Sequence, residues 1–142
     1  METTASTTIK VETTIKAPVE KVWHCWTVPR HITQWNQASE DWHTPWAEND
    51  LRVGGKFISR MEAKDNSMGF DFSGTYTAVQ EQQQINYTLD DGRKVQILFA
   101  SKGPQTNVTE IFTADPTYPL EMQRAGWQAI LDNFKKYTEA AS

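Results

Sequence analysis

PLEMQRAGWQAILDNFKKYTEA, residues 119–140, is the stretch whose reading decides the fold. Trp127, Ile130, Leu131, Phe134 and Tyr137 recur at steps of three and four, so they share one stripe of a helix. Gln128, Asp132, Asn133, Lys135, Lys136 and Glu139 occupy the other side. Pro119 suits the first turn, where the N–H it lacks would have no intrahelical partner. Glu121 near the start and the lysines near the end agree with the helix dipole. A stripe this bulky and aromatic needs a large concave partner. Gly126 interrupts the pattern at a cost of about 1 kcal/mol relative to alanine. That predicts a close approach to its backbone, by a neighbouring strand or by a ligand.

The preceding chain supplies the concave partner. Ile9, Val11, Thr13 and Ile15 alternate with polar residues, the period of a half-buried strand. Pro18 opens a helix with Val19, Val22, Trp23 and Trp26 on one stripe, which should stop before Pro29. A second short helix is expected over Arg30–Trp35, and a strand around Asp41–Ala47. Gly54-Gly55 forms a sharp turn. Lys56–Lys64 alternates, with Phe57, Ser59, Met61 and Ala63 on one side. Phe70, Phe72, Gly74, Tyr76 and Ala78 share a face of the next strand. Ile85, Tyr87 and Leu89 follow, then the hairpin signal Asp91-Gly92. Val95, Ile97 and Phe99 mark another strand, and Val108–Thr113 the last. Strands joined by short turns make an antiparallel sheet. The expected class is α+β: a curved sheet of six to seven strands around a long C-terminal helix, with two short helices after the first strand.

At 142 residues with no internal repeat or linker, one domain is expected over 8–142, with 1–7 as a frayed tail. A formal charge of −4 and no basic run argue against nucleic acid as a partner. One cysteine, Cys25, excludes an internal disulfide framework and fits a reducing compartment. No apolar run approaches a membrane span or the core of a signal peptide, so a cytoplasmic location is expected.

Four motifs carry a resemblance to a known group. They are Ala17-Pro18-Val19-Glu20-Lys21-Val22-Trp23 after the first strand, Asp50-Leu51-Arg52-Val53-Gly54-Gly55-Lys56-Phe57, Phe72-Ser73-Gly74-Thr75-Tyr76, and Gly126-Trp127-Gln128-Ala129-Ile130-Leu131-Asp132. With these the chain, from about Thr8 to Tyr137, resembles the START-like superfamily (SRPBCC, helix-grip or Bet v 1-like proteins). Within it, the chain is similar to the branch named after the activator of heat-shock-protein-90 ATPase. The resemblance implies a six- or seven-stranded antiparallel sheet gripping the last helix, often around an apolar cavity. It implies no single activity, because the superfamily holds lipid carriers, polyketide cyclases, hormone receptors and a chaperone activator.

The stripe Phe57, Phe72, Tyr76, Tyr87 and Phe99, facing Trp127, Ile130, Leu131 and Phe134, is either plain core or the wall of a pocket. Met61 and Phe112 share those faces. Trp35, Trp42 and Trp46 are candidates for the rim, or for a cap on one end of the core. Glu110 is the sharpest single residue. If Val108 and Phe112 point inward, Glu110 goes with them and its buried carboxyl could anchor a ligand or move a proton. The simpler expectation is the other register, with Ile111 inside and Glu110 in water. His24, His31 and His43 lack metal-ligand spacing, and Cys25 beside His24 points away from it and lies off the helix stripe. Arg52 before Gly54-Gly55 is not a phosphate loop and is expected to pair with a carboxylate or stay solvated. No catalytic residue, metal site or cofactor is therefore assigned.

The leading expectation is a binding module for a small apolar or amphipathic molecule. An enzyme of the polyketide cyclase or dehydratase kind ranks second, and a co-chaperone acting on a heat-shock ATPase third. The oligomeric state is open, a homodimer included.

Overall fold

The computed structural model describes residues 7–141. The expected tail lies outside the described residues except for Thr7, whose carbonyl accepts a hydrogen bond from the Ala114 N–H at 2.8 Å. The elements run β1 (Thr8–Ile15), α1 (Val19–Thr27), α2 (Pro29–Trp35), β2 (Trp42–Asn49), β3 (Lys56–Ala63), β4 (Gly69–Gln80), β5 (Gln84–Leu89), β6 (Lys94–Lys102), β7 (Gln105–Thr113) and α3 (Leu120–Ala140). The strands form one seven-stranded sheet in the order β1-β7-β6-β5-β4-β3-β2. Every pairing is antiparallel, and the sheet curls into a half-barrel. Tight turns make neighbours of consecutive strands, and only β1 crosses over, to close the edge beside β7.

The two short helices break where the prolines require. Val28, the residue before Pro29, is extended at ψ 123°, so α1 ends at Thr27 and Pro29 opens α2. β2 starts one residue later than Asp41 and runs on to Asn49. It is an edge strand whose register shifts between His43 and Trp46. Pro45 falls in that interval, where a missing N–H does least harm.

Period-two alternation decides which side chains face α3. On β7 Val108 and Phe112 are almost fully buried at 0% and 1% exposure, and Glu110 between them is 5% exposed. Ile111 lies on the opposite, half-buried face. The expectation of a solvated Glu110 is thus overturned. Two large apolar neighbours set the register, and a strand cannot turn out one residue between them. Cys25, off the Val19/Val22/Trp23/Trp26 stripe, is also buried, because α1 is covered along more than one stripe.

Two further corrections concern β4 and α3. The expected face Phe70–Ala78 does not continue past Tyr76. The register shifts between Tyr76 and Ala78, and Val79 takes over the packing against the core. At Gly126 a Cβ would meet nothing within 4 Å, so no strand crowds that backbone. The close approach lies at Gly74, where a Cβ would sit 2.6 Å from the Thr88 carbonyl oxygen and 3.0 Å from the Phe57 ring.

The long helix lies asymmetrically. Its backbone comes nearest β1, with further contacts to α2 and α1. Leu131, Phe134 and Thr138 are fully buried there, whereas Trp127 and Ile130 are partly buried, and Trp127 spans from Phe112 on β7 to Phe72 on β4. Side chains alone bridge that wider gap, and the candidate site lies within it.

Candidate functional site

A cavity of about 210 Å³ lies between α2, α3 and the concave face of β2–β5. Its walls are mostly rings. β3 contributes Phe57 and Met61, β4 contributes Phe70, Phe72 and Tyr76, and β5 contributes Ile85 and Tyr87. Trp127 and Ile130 cover it from α3, and Trp26, Ile32 and Trp35 close it from α1 and α2. The rings hold one another edge-on. Phe57 and Tyr87 are T-shaped at 4.6 Å, Phe72 and Trp127 at 6.2 Å, and Tyr76 and Tyr87 at 6.2 Å. Phe70, 49% exposed, and the exposed Glu48 stand at the outer end.

A few polar groups interrupt this wall. Tyr76 donates its hydroxyl hydrogen to Asn49 Oδ1, and Asn49 Nδ2 donates to the Thr27 carbonyl at 2.7 Å. That chain ties the end of β2 to the end of α1. Burial pushes the Tyr76 hydroxyl well above the usual tyrosine range, followed by the opposing effect of the Asn49 hydrogen bond. Ser59 is buried between Phe57 and Met61.

Glu110 is the only β7 residue in the lining. Its strand neighbours across the ladder are Val11 and Ile97, both apolar. Burial alone pushes its carboxyl up to about 8, and among the described residues no hydrogen bond or opposing charge brings it back. The nearest polar effect runs the other way: Tyr87 is raised first by burial and then by the charge of Glu110. A buried carboxyl without a partner is costly when ionised, so near neutral pH Glu110 holds its proton.

The fourteen sequence-expected site residues divide in two. Trp35, Phe57, Met61, Phe72, Tyr76, Tyr87, Glu110, Trp127 and Ile130 are brought together around the cavity. Phe99, Phe112, Leu131 and Phe134 are not; they belong to the solid core. Phe134 packs against Trp26 at 4.7 Å and Trp35 at 4.8 Å, Phe99 against Trp23 at 5.2 Å, and Phe112 stacks on Trp127 at 3.8 Å. Trp42 is also outside, beside Phe70 at 6.0 Å, and Trp46 is 43% exposed.

The relationships of the chain agree with its architecture. A family model described as activator of Hsp90 ATPase homolog 1-like protein matches residues 16–139. The chain belongs to that family. Among solved structures, this family member is similar to the AHSA1-like protein of Aeromonas hydrophila, at 47% identity and a TM-score of 0.89, covering 94% of this chain and 93% of that one. It is similar to Chr148 of Cytophaga hutchinsonii at 53% identity and a TM-score of 0.81, over 92% and 91% of the two chains. CV1439 of Chromobacterium violaceum shares the fold, at 23% identity and a TM-score of 0.84, over 94% and 98%. None of the curated proteins matches.

Sequence reasoning missed Trp26, Ile32, Asn36, Glu48, Asn49, Phe70 and Ile85 as lining residues of this Hsp90-activator-like domain, and also Ser59. Ser59 and Ile85 could have been found, since they alternate in phase with Phe57 and Tyr87. Asn49 and Glu48 gave no signal because the end of β2 was placed too early. Among the described residues no group of three His, Cys, Asp or Glu side chains is arranged to hold a metal, and no helix is long and apolar enough to cross a membrane. Arg52 ion-pairs with Asp50 at 2.9 Å on the surface.

Proposed function

We propose that this protein binds a small amphipathic molecule between α3 and the half-barrel, with an apolar body among the rings and a polar end directed at Glu110. The single observation that carries the reading is the buried Glu110 carboxyl, without a partner among the described residues, in a largely aromatic wall. Binding sites typically combine a largely apolar surface with a few convergent polar groups. A buried carboxyl left without a partner is destabilising unless something else meets it. The volume of about 210 Å³ falls below the range of about 300–1,000 Å³ common for drug-sized ligands, which favours a one- or two-ring molecule over a long-chain lipid or a polycyclic substrate.

The test is a panel of one- and two-ring alcohols and amines, read by melting temperature and tryptophan fluorescence. At least one is expected to give a saturable shift that Ile130→Phe, which fills the cavity from α3, abolishes without changing the circular dichroism. A panel with no saturable response, or one that Ile130→Phe leaves intact, contradicts the reading.

A further inference from the structure

We infer that the ligand carries a protonated amine, held by Glu110 and by the faces of the surrounding aromatic rings. This rests on the reading that the cavity takes a ligand, and adds its charge.

Three independent observations converge. Among the described residues, the acidic side chains in the lining are Glu48 and Glu110, and no Lys, Arg or His contributes to it. A carboxylate or phosphate ligand would therefore find no cation to receive it, and would keep Glu110 from ionising. Second, Glu110 is 95% buried by its 5% exposure, and its carboxyl meets no hydrogen-bonding partner among the described residues. Third, Phe57, Tyr87, Phe72 and Trp127, in that order, form a linked series of rings, at 4.6 Å, 6.5 Å and 6.2 Å between successive centroids. Aromatic faces attract cations within about 6 Å of the ring centre, most strongly where water is excluded.

The groups around Glu110 leave the position for a cation open. β1 and β6 present Val11 and Ile97, α3 presents Trp127 and Ile130, and β5 presents the neutral hydroxyl of Tyr87. Arg93 is the one base that acts on Tyr87, as the last of four influences, and it is engaged by Asp91 at 2.8 Å. The exchange balances simply. The neutral carboxyl of Glu110 gives its proton to solvent, the incoming ammonium keeps its own, and the carboxylate and ammonium pair in the cavity. One proton leaves for each amine bound.

Phenethylamine, phenethyl alcohol and phenylacetate share a ring and differ at the polar end, so their titration by calorimetry near neutral pH separates the possibilities. The amine is expected to bind at least about tenfold more tightly than the alcohol, and the carboxylate more weakly than either. Repeating the amine titration in two buffers of different ionisation enthalpy should report the release of nearly one proton, and the alcohol none. In Glu110→Gln the amine should fall to the level of the alcohol. Equal or tighter binding of the alcohol, with no proton release, overturns the amine inference and leaves the binding site standing. Amine preference that survives in Glu110→Gln also overturns it. If none of the three binds and the wider panel of alcohols and amines gives no saturable response, both readings fall; if only alcohols of that panel bind, the amine inference falls alone. The proton count on the wild-type protein decides the matter even if the variant does not fold.

Discussion

Glu110 shows how one residue can be misplaced by a sound rule and corrected by another. Polarity alone puts a glutamate in water. Its neighbours Val108 and Phe112 are stronger constraints, and they carry it inward. The consequence is measurable in stability. Folded, the carboxyl keeps its proton up to about pH 8, whereas an unperturbed glutamate loses it near 4.5. Between those values the folded state binds more protons than the unfolded one, so stability falls as pH rises. The contribution is fully present below pH 4.5 and is lost as pH passes 8, with a span of at most about 5 kcal/mol. Urea unfolding of Glu110→Gln should show this slope removed, so that the variant gains on the wild type as the medium becomes alkaline. Parallel pH profiles for the two proteins would mean that Glu110 is ionised and stabilised in the fold.

The elements themselves were readable because their signals were redundant. Aromatic and aliphatic residues at steps of three and four, with a proline at the start, place α3 within a residue of where it lies. Alternation and turn residues do the same for β3 and β5, and place the start of β6, which runs on past Phe99 to Lys102. β2 was the weak case, since a proline and a bulge interrupt its alternation. Glycines were harder to interpret, because sequence does not tell which one has a neighbour. Open space around Gly126 predicts that Gly126→Ala stabilises the protein by up to about 1 kcal/mol through helix propensity. Gly74→Ala should do the opposite, since its Cβ would be driven against the Thr88 carbonyl oxygen and the Phe57 ring. Thermal unfolding of the two variants should move the midpoint in opposite directions. A destabilised Gly126→Ala would indicate that something does occupy the space beside α3.

At the scale of the whole molecule, the division between core and cavity follows from where α3 sits. The helix leans on β1 and on the short helices, so Leu131 and Phe134 fill the near side completely. Toward β4, α3 lines the cavity with Trp127 and Ile130. No periodicity argument can distinguish these cases, because core residues and cavity residues obey the same spacing. Phe99 and Tyr87 look alike in sequence, and only the tilt of a helix separates them. The family resemblance carried the topology, but not the boundary between packed and open interior.

The six tryptophans offer the most direct test of that boundary. Trp26, Trp35 and Trp127 line the cavity, whereas Trp23 is packed in the core and Trp42 and Trp46 stand outside. Indole N–H resonances in a nitrogen-15 spectrum can be followed during titration with phenethyl alcohol and phenethylamine. The account predicts saturable shifts in Trp26, Trp35 and Trp127, with Trp46 unmoved. Shifts confined to Trp42 and Trp46, or no saturable shift at all, would contradict it.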